Sequence, residues 1–119
     1  MDIFCKIING EIPSKKLYED DVVIVIMDVN PSSNGHCLVI PKNHYQDLFD
    51  IEEDVLNHIM LVAKEMSLKL KEKLCCEGLT LLQNNGLGQE VKHFHLHLIP
   101  KYNDSEKLDV DCVFHKIVD

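Results

Sequence analysis

The sequence contains no apolar run that approaches the roughly 20 residues needed for a membrane-spanning helix. Its opening segment, from Met1 to Lys6, lacks the basic start and the long apolar core of a signal peptide. The five cysteines are odd in number, Cys75 and Cys76 are adjacent, and no paired framework is evident, so we expect reduced thiols. These absences predict a cytoplasmic protein with no membrane partner.

The sequence also lacks an excess of basic residues. Twelve lysine and arginine residues stand against 20 aspartate and glutamate residues, and the formal net charge is −8. A net acidic surface repels nucleic-acid backbones, which argues against binding to a nucleic acid polymer but allows a small anionic ligand in a local pocket of donors. Because there is no internal repeat, low-complexity run or linker, we expect a single domain over residues 1–119.

Local patterns predict an α+β domain with an antiparallel sheet of about five strands, one long helix and one short helix. The expected elements are a short helix over 3–8, strands near 17–18, 22–27, 36–40 and 79–83, a long amphipathic helix over about 51–74, and a terminal strand or arm at 112–117. Asp50 and Glu53 predict a capping box at the start of the long helix. Gly86-Leu87-Gly88 lacks the third glycine of a dinucleotide fingerprint, which argues against a Rossmann fold.

The most informative stretch runs from His93 to Pro100, where three histidines occupy alternate positions. Phe94, Leu96 and Leu98 fill the positions between and after them, which is the period of a β-strand. In a strand all three imidazoles line one face, and we expect that face to be exposed while the apolar face is buried. Such a row of nitrogen bases can attack phosphorus, relay protons or hold a metal. The alternative is a polar sheet face that happens to be histidine.

Residues His93 to Ile99 match the His-φ-His-φ-His-φ-φ motif, where φ is apolar, and the sequence resembles the histidine triad (HIT) family in this motif. Segments 3–13, 35–44 and 88–91 resemble the branch that contains the histidine triad nucleotide-binding proteins (Hint, or protein kinase C inhibitor-like proteins). The likeness covers about residues 2–102 and leaves 103–119 as an unplaced tail or arm. It implies a HIT-like fold, usually a homodimer whose two sheets join into one.

The resemblance also implies an activity. Members bind nucleotides and cleave at the α-phosphate, so we expect purine nucleotide (AMP or GMP) conjugates such as phosphoramidates as substrates, a nucleotidyl-histidine intermediate, and no cofactor for catalysis. Neutral imidazole suits this chemistry because it attacks an anionic phosphate without charge repulsion. Two alternatives stay open: a dinucleoside polyphosphate hydrolase or nucleotidyl transferase of the same fold, and a nucleotide-binding scaffold with weak activity.

Family position implies a role for individual residues. His95 resembles the nucleophile, His97 the residue that contacts the phosphate, His93 the remaining triad member and His36 a fourth supporting histidine. Other residues implied in substrate binding are Asp28 for the ribose hydroxyls, Gln89 and Asn84 near the phosphate, and Ile3, Phe4, Ile7, Ile12 and Ile26 around the base. Taken without the family, His36 could be an ordinary strand-end histidine, Asp28 a turn acid, and the five apolar residues plain core.

Two features depart from the family pattern. Glu90 lies where many nucleotide-binding relatives carry a serine or threonine that donates to the leaving group, and a carboxylate cannot donate unless it is protonated. Some bacterial relatives bind zinc through a Cys-x-x-Cys at the opening, but here Asp2 replaces the first cysteine. The resemblance therefore offers a structural zinc site of Asp2, Cys5, His44 and His93. The alternative is a buried Cys5 and a surface His44.

Overall fold

A computed structural model describes all residues, 1–119, and it contains three helices and five strands. In chain order these are α1 (Ile3–Ile8), β1 (Lys16–Glu19), β2 (Val23–Met27), β3 (Cys37–Pro41), α2 (Glu53–Leu74), β4 (Gly78–Leu82), β5 (Leu96–Lys101) and α3 (Val110–Val118). The strands form one antiparallel sheet in the order β1-β2-β3-β5-β4. The predicted α+β class and five-stranded antiparallel sheet are confirmed. None of the helices combines the length and apolar character needed to cross a bilayer.

Strands β2 and β3 lie inside the sheet and are buried along their whole length, because both faces of the sheet are covered there. Their residues alternate between two apolar clusters, as the strand period requires. One cluster joins Val25 and Val39 to α2, and the other joins Ile26 and Leu38 to the short helix α1. The β-branched composition of β2 suits this pleated, two-sided packing.

The long helix α2 begins two residues later than the predicted helix, at Glu53. The predicted capping box is wrong, because no side chain caps the helix and the Asp50 carboxylate instead accepts hydrogen bonds from the backbone N–H groups of Gln46 and Asp47, both at 3.0 Å. The acid is used in the turn before the helix. The apolar stripe is confirmed, and its buried members are Ile59, Val62, Ala63, Met66 and Leu70.

The terminal segment folds into a helix, α3, so the predicted strand or arm at 112–117 is wrong. Val113 and Ile117 are buried in the cluster that includes α2, and their spacing of four residues is helical. The stretch before α3 is also attached to the domain. Asn34 Nδ2 donates to the Glu106 carbonyl at 2.8 Å, and the Leu108 N–H donates to Asn34 Oδ1 at 2.8 Å. The tail is therefore part of the folded domain.

The histidine stretch differs from its prediction in two ways. Strand β5 begins only at Leu96, and the histidine face is covered rather than exposed, with His93 at 0 % and His95 at 6 % exposure. The cover is α1, whose Phe4 ring lies edge-on to His95 with 4.9 Å between ring centroids. The alternation itself holds, since Phe94, Leu96 and Leu98 lie on the opposite side in the cluster that contains α2.

Candidate active site

A cavity of about 970 Å³ lies on the sheet face that carries α1. Its walls are α1, the end of β2, the loop that follows β2, and the segment between β4 and β5. The cavity brings together most of the predicted site residues: Ile3, Phe4, Ile7, Ile12, Ile26, Asp28, His36, Asn84, His95 and His97. Its volume is in the range of small-molecule sites, and its lining combines apolar side chains with polar and titratable ones.

His95 is held with one ring nitrogen free. Its Nδ1 lies 2.8 Å from the His93 carbonyl oxygen, and because a carbonyl only accepts, Nδ1 carries the proton. The Nε2 atom therefore keeps its lone pair. Burial lowers the pKa of His95, which keeps the imidazole neutral near pH 7. A neutral, oriented imidazole on the cavity wall has the properties of a nucleophile.

His36 and His97 form a chain of hydrogen bonds that fixes the proton positions on both rings. The Ser32 N–H donates to His36 Nδ1 at 2.9 Å, so the ring proton of His36 is on Nε2. His36 Nε2 in turn donates to His97 Nδ1 at 2.9 Å, which places the proton of His97 on its Nε2. Burial, together with the neighbouring His95 and His36, lowers the pKa of His97 to about 4. His97 is thus a neutral N–H donor beside His95.

Asp28 ends β2, and its two carboxylate oxygens have different partners. Oδ1 accepts from the Asn30 N–H at 2.8 Å, while Oδ2 lies 3.4 Å from His36 Nε2. The acid is therefore a turn residue through one oxygen and lines the cavity as well. Ligand atoms of Asp28, His36 and His97 are close enough to hold a metal ion, but His36 Nε2 is already protonated, which argues against a metal there.

Gln89 is the predicted substrate residue that the structure places elsewhere. It is buried, its Nε2 donates to the Gln46 carbonyl at 2.6 Å, and its Oε1 accepts from the Gly86 N–H at 3.2 Å. Both ends of the amide are thus used to hold the loop, and Gln89 does not line the cavity in this conformation. A Gly-Gln pair in a sequence does not reveal the direction in which the side chain points.

Ser14 is a cavity residue that the sequence did not indicate. It lies between α1 and β1, and its Oγ is the one buried side-chain polar atom with no hydrogen-bond partner in the protein. Such atoms are rare in folded proteins because desolvation without a partner costs about 1–3 kcal/mol. A polar ligand in the cavity would satisfy this hydroxyl. A lone serine in a loop gives no sequence signal of that kind.

A second cluster consists of Asp2, Cys5, His44 and His93, and it does not include His95. His93 Nε2 donates to the Pro41 carbonyl at 2.9 Å, so Nδ1 keeps its lone pair. That Nδ1 lies 3.5 Å from Cys5 Sγ and 3.2 Å from Asp2 Oδ2. His44 Nδ1 lies 3.7 Å from Cys5 Sγ and 3.1 Å from Asp2 Oδ2.

These separations fit the donor set of a zinc ion. Zn–S bonds of about 2.3 Å and Zn–N or Zn–O bonds of about 2.0–2.1 Å place tetrahedral ligands about 3.3–3.6 Å from one another. Asp2 is also held in place, because its Oδ1 accepts from the Cys5 N–H at 2.8 Å as the N-cap of α1. His95 is not a member of the cluster, so any metal there would be structural.

Comparison with known proteins places this geometry in one family. The family model described as "HIT domain" matches residues 9–104 of the sequence. An uncharacterized HIT-like protein of Methanocaldococcus jannaschii is 45% identical over 104 residues, which cover 86% of this chain and 80% of that protein. The adenosine 5'-monophosphoramidase of Candida albicans is 45% identical over 114 residues, which cover 91% of this chain and 75% of that protein.

Solved structures agree with the sequence comparison. A zinc-bound histidine triad family protein of Mycobacterium smegmatis superimposes with a TM-score of 0.89 at 30% identity, and the match covers 98% of this chain and 89% of that one. The family match spans most of the chain, and it includes the motif from His93 to Ile99. The chain therefore belongs to the histidine triad (HIT) family.

Proposed function

We propose that the protein is a nucleotide-binding hydrolase that cleaves at the α-phosphate of purine nucleoside phosphoramidates through a nucleotidyl-histidine intermediate. The observation that carries the proposal is the environment of His95: Nδ1 is held by the His93 carbonyl at 2.8 Å, and the unprotonated Nε2 is the atom left to attack a ligand in the cavity. The similarity to an adenosine 5'-monophosphoramidase supports the same reaction class.

The reaction has two displacement steps. In the first, His95 Nε2 forms a bond to phosphorus, the P–N bond of the substrate breaks, and its electron pair goes to the departing amine, which takes a proton from solvent. In the second, a water oxygen bonds to phosphorus, the P–Nε2 bond breaks, and a proton leaves to solvent as the nucleoside monophosphate departs. His97 Nε2–H donates to a phosphate oxygen and stabilises the charge that builds up in both steps.

The rest of the cavity suits the nucleoside. The Asp28 carboxylate can accept from the vicinal ribose hydroxyls, because a carboxylate is an acceptor only. Phe4, Ile7 and Ile26 supply the apolar surface for the base. The unpartnered hydroxyl of Ser14 supports a polar ligand in the cavity, since a ligand acceptor would remove its desolvation cost. Asn84 lines the cavity, whereas Gln89 would have to leave its present partners to reach a phosphate.

The family allows two other activities, and one assay separates all three. Native protein is supplied with adenosine phosphoramidate and with diadenosine polyphosphates, and AMP binding is measured in parallel. Turnover of the phosphoramidate supports the proposal, preferential turnover of the polyphosphates indicates the alternative hydrolase or transferase, and binding without turnover indicates a scaffold.

Replacement of His95 tests the covalent step. His95→Ala should lower kcat by at least about a thousandfold. AMP should still bind to within a few-fold, because ribose and base contacts remain. Acid-quenched native protein given radiolabelled substrate should carry a nucleotidyl group that the variant lacks. A variant with near-native kcat would rule out this nucleophile. His93→Ala should cost less, since His93 acts through its carbonyl and lies outside the cavity.

The zinc site and the homodimer are the finer parts of the proposal. The spacing of the ligand atoms of Asp2, Cys5, His44 and His93 supports a structural zinc ion beside the catalytic segment. The dimer is supported by exposed apolar side chains, namely Met60, Leu61 and Leu68 on α2 and Leu81 and Leu82 on β4, which is an edge strand. Light scattering at micromolar concentration should give twice the chain mass of 13.7 kDa, and a value of one chain mass would exclude the dimer.

A further inference from the structure

Glu90 is an unpaired acid on the wall of the cavity. Its side chain is exposed, and no hydrogen bond or ion pair within the protein engages its carboxylate. The nearest basic residue in the sequence, Lys92, donates instead to the Gly86 carbonyl at 2.9 Å. The negative charge acts on His95, whose pKa it raises against the larger lowering effect of burial. Glu90 and His95 both line the cavity, so a substrate bound there meets the carboxylate as well as the proposed nucleophile.

The place of Glu90 in the cavity wall indicates which part of a substrate it meets. The nucleoside site of the proposed function is formed by Asp28 and the apolar residues of α1. In an in-line displacement the entering and departing groups lie on opposite sides of phosphorus. The wall that the nucleoside leaves free is formed by Leu82, Asn84, Gly88 and Glu90, and we assign the departing group to it. None of these four residues carries a positive charge.

We propose that Glu90 selects leaving groups that carry a positive charge of their own, so that the preferred substrates are nucleoside phosphoramidates of amines with a second, cationic group. Diamines and basic amino acid side chains have this chemistry. The inference rests on the proposed hydrolase function and adds its substrate class. It also predicts poor turnover of conjugates whose leaving group is anionic, such as polyphosphates, sulfate or amines that bear a carboxylate.

The size of the preference follows from Coulomb's law. At a separation of about 6 Å in a cavity open to water, one unit charge changes the interaction by roughly three- to tenfold in rate or affinity. A cationic and an anionic leaving group differ by two charge units, so kcat/KM should differ by roughly 10- to 100-fold. The difference should shrink in about 1 M salt, where the screening length is only about 3 Å.

The test uses three adenosine 5'-phosphoramidates of similar size, made from ethylenediamine, propylamine and glycine. Their leaving groups are cationic, neutral and anionic. Native protein, Glu90→Gln and Glu90→Lys are compared by the ratio of kcat/KM for the cationic to that for the anionic compound. Comparison of the ratio between variants cancels the intrinsic reactivity of the three amines. Glu72→Gln is the matched control, because Glu72 is an exposed acid on α2, across the sheet from the cavity.

We expect Glu90→Gln to lower the native ratio by at least about tenfold, Glu90→Lys to lower it further, and Glu72→Gln to keep it. A smaller change in Glu90→Gln, or an equal change in Glu72→Gln, overturns the role of Glu90. If no compound is turned over, the proposed function fails instead. The charge preference is then read from the dissociation constants of the three compounds with His95→Ala, where the same order supports the role of Glu90 and equal constants overturn it.

Discussion

Replacement of Asp28 by asparagine isolates the charge that is proposed to hold the ribose. Oδ1 is committed to the Asn30 N–H at 2.8 Å, so Oδ2 is the oxygen with capacity for a ligand. Asparagine can keep the bond to Asn30, but its NH₂ group then takes the place of Oδ2 and cannot accept from a hydroxyl. Loss of these charge-assisted bonds should cost about 1–3 kcal/mol, or about 5- to 150-fold in Kd for AMP.

Calorimetric titration with AMP and with 2',3'-dideoxy-AMP measures this effect. The native protein should prefer AMP, and Asp28→Asn should lose most of that preference while its affinity for the dideoxy compound changes by less than about threefold. Asp21→Asn, a change of the same kind at an exposed acid before β2, should alter neither affinity. Equal weakening of both ligands in Asp28→Asn would show that the acid acts on the fold or on His36, and the ribose assignment would be withdrawn.

The remaining predictions concern the protonation of His97, the metal content and the packing of α3. The free energy of unfolding should fall as the pH drops from 6.5 to about 4, because His97 takes up a proton in the unfolded chain but stays neutral in the folded one. Urea titrations at both pH values measure this fall, and His97→Gln should make it smaller. Protein purified without chelators should contain about one zinc ion per chain by elemental analysis, and Cys5→Ser or His44→Ala should remove it. A zinc content well below one ion per chain, with no gain in Tm on adding zinc, would exclude the site. In urea denaturation, Ile117→Ala should lower the free energy of unfolding by about 2–5 kcal/mol, because Ile117 is fully buried. Val118→Ala, at a residue that is 40% exposed, should lower it by less than about 1 kcal/mol. Equal losses would mean that α3 is not packed on the core.

Local periodicity in the sequence was enough to predict most of the sheet and α2. Alternation placed Phe94, Leu96 and Leu98 in the core, and the helical stripe of α2 was correct over its full length. The terminal helix was missed because a short apolar run does not distinguish a strand from a helix by period alone. Its apolar residues at positions 110, 113, 114 and 117 do carry helical spacing.

Features that depend on distant parts of the chain could not be predicted in this way. His93 and His95 are buried by α1 and its N-cap, which lie about 90 residues earlier in the sequence. Phe4 covers His95, and Asp2 contacts His93 across a separation of 91 residues. The direction of Gln89 is set by its contact with the Gln46 carbonyl, 43 residues away. The roles of the site residues rest on family position, and their placement around one cavity is what makes those roles testable.

The loop from Ser32 to His36, whose Ser32 N–H fixes the ring proton of His36, is held by hydrogen bonds to residues near the end of the chain. Asn34, two residues before His36, accepts from the Tyr102 hydroxyl at 2.7 Å and bonds to partners as far as 74 residues along the chain. Ser33 Oγ donates to the Pro100 carbonyl. A ribosome adds about 5–20 residues per second, so β1, β2 and β3 are synthesised several seconds before Pro100, Tyr102 and Leu108. The loop that holds the Ser32 N–H against His36 Nδ1 therefore gains these supporting bonds only after residues 100–108 have been synthesised.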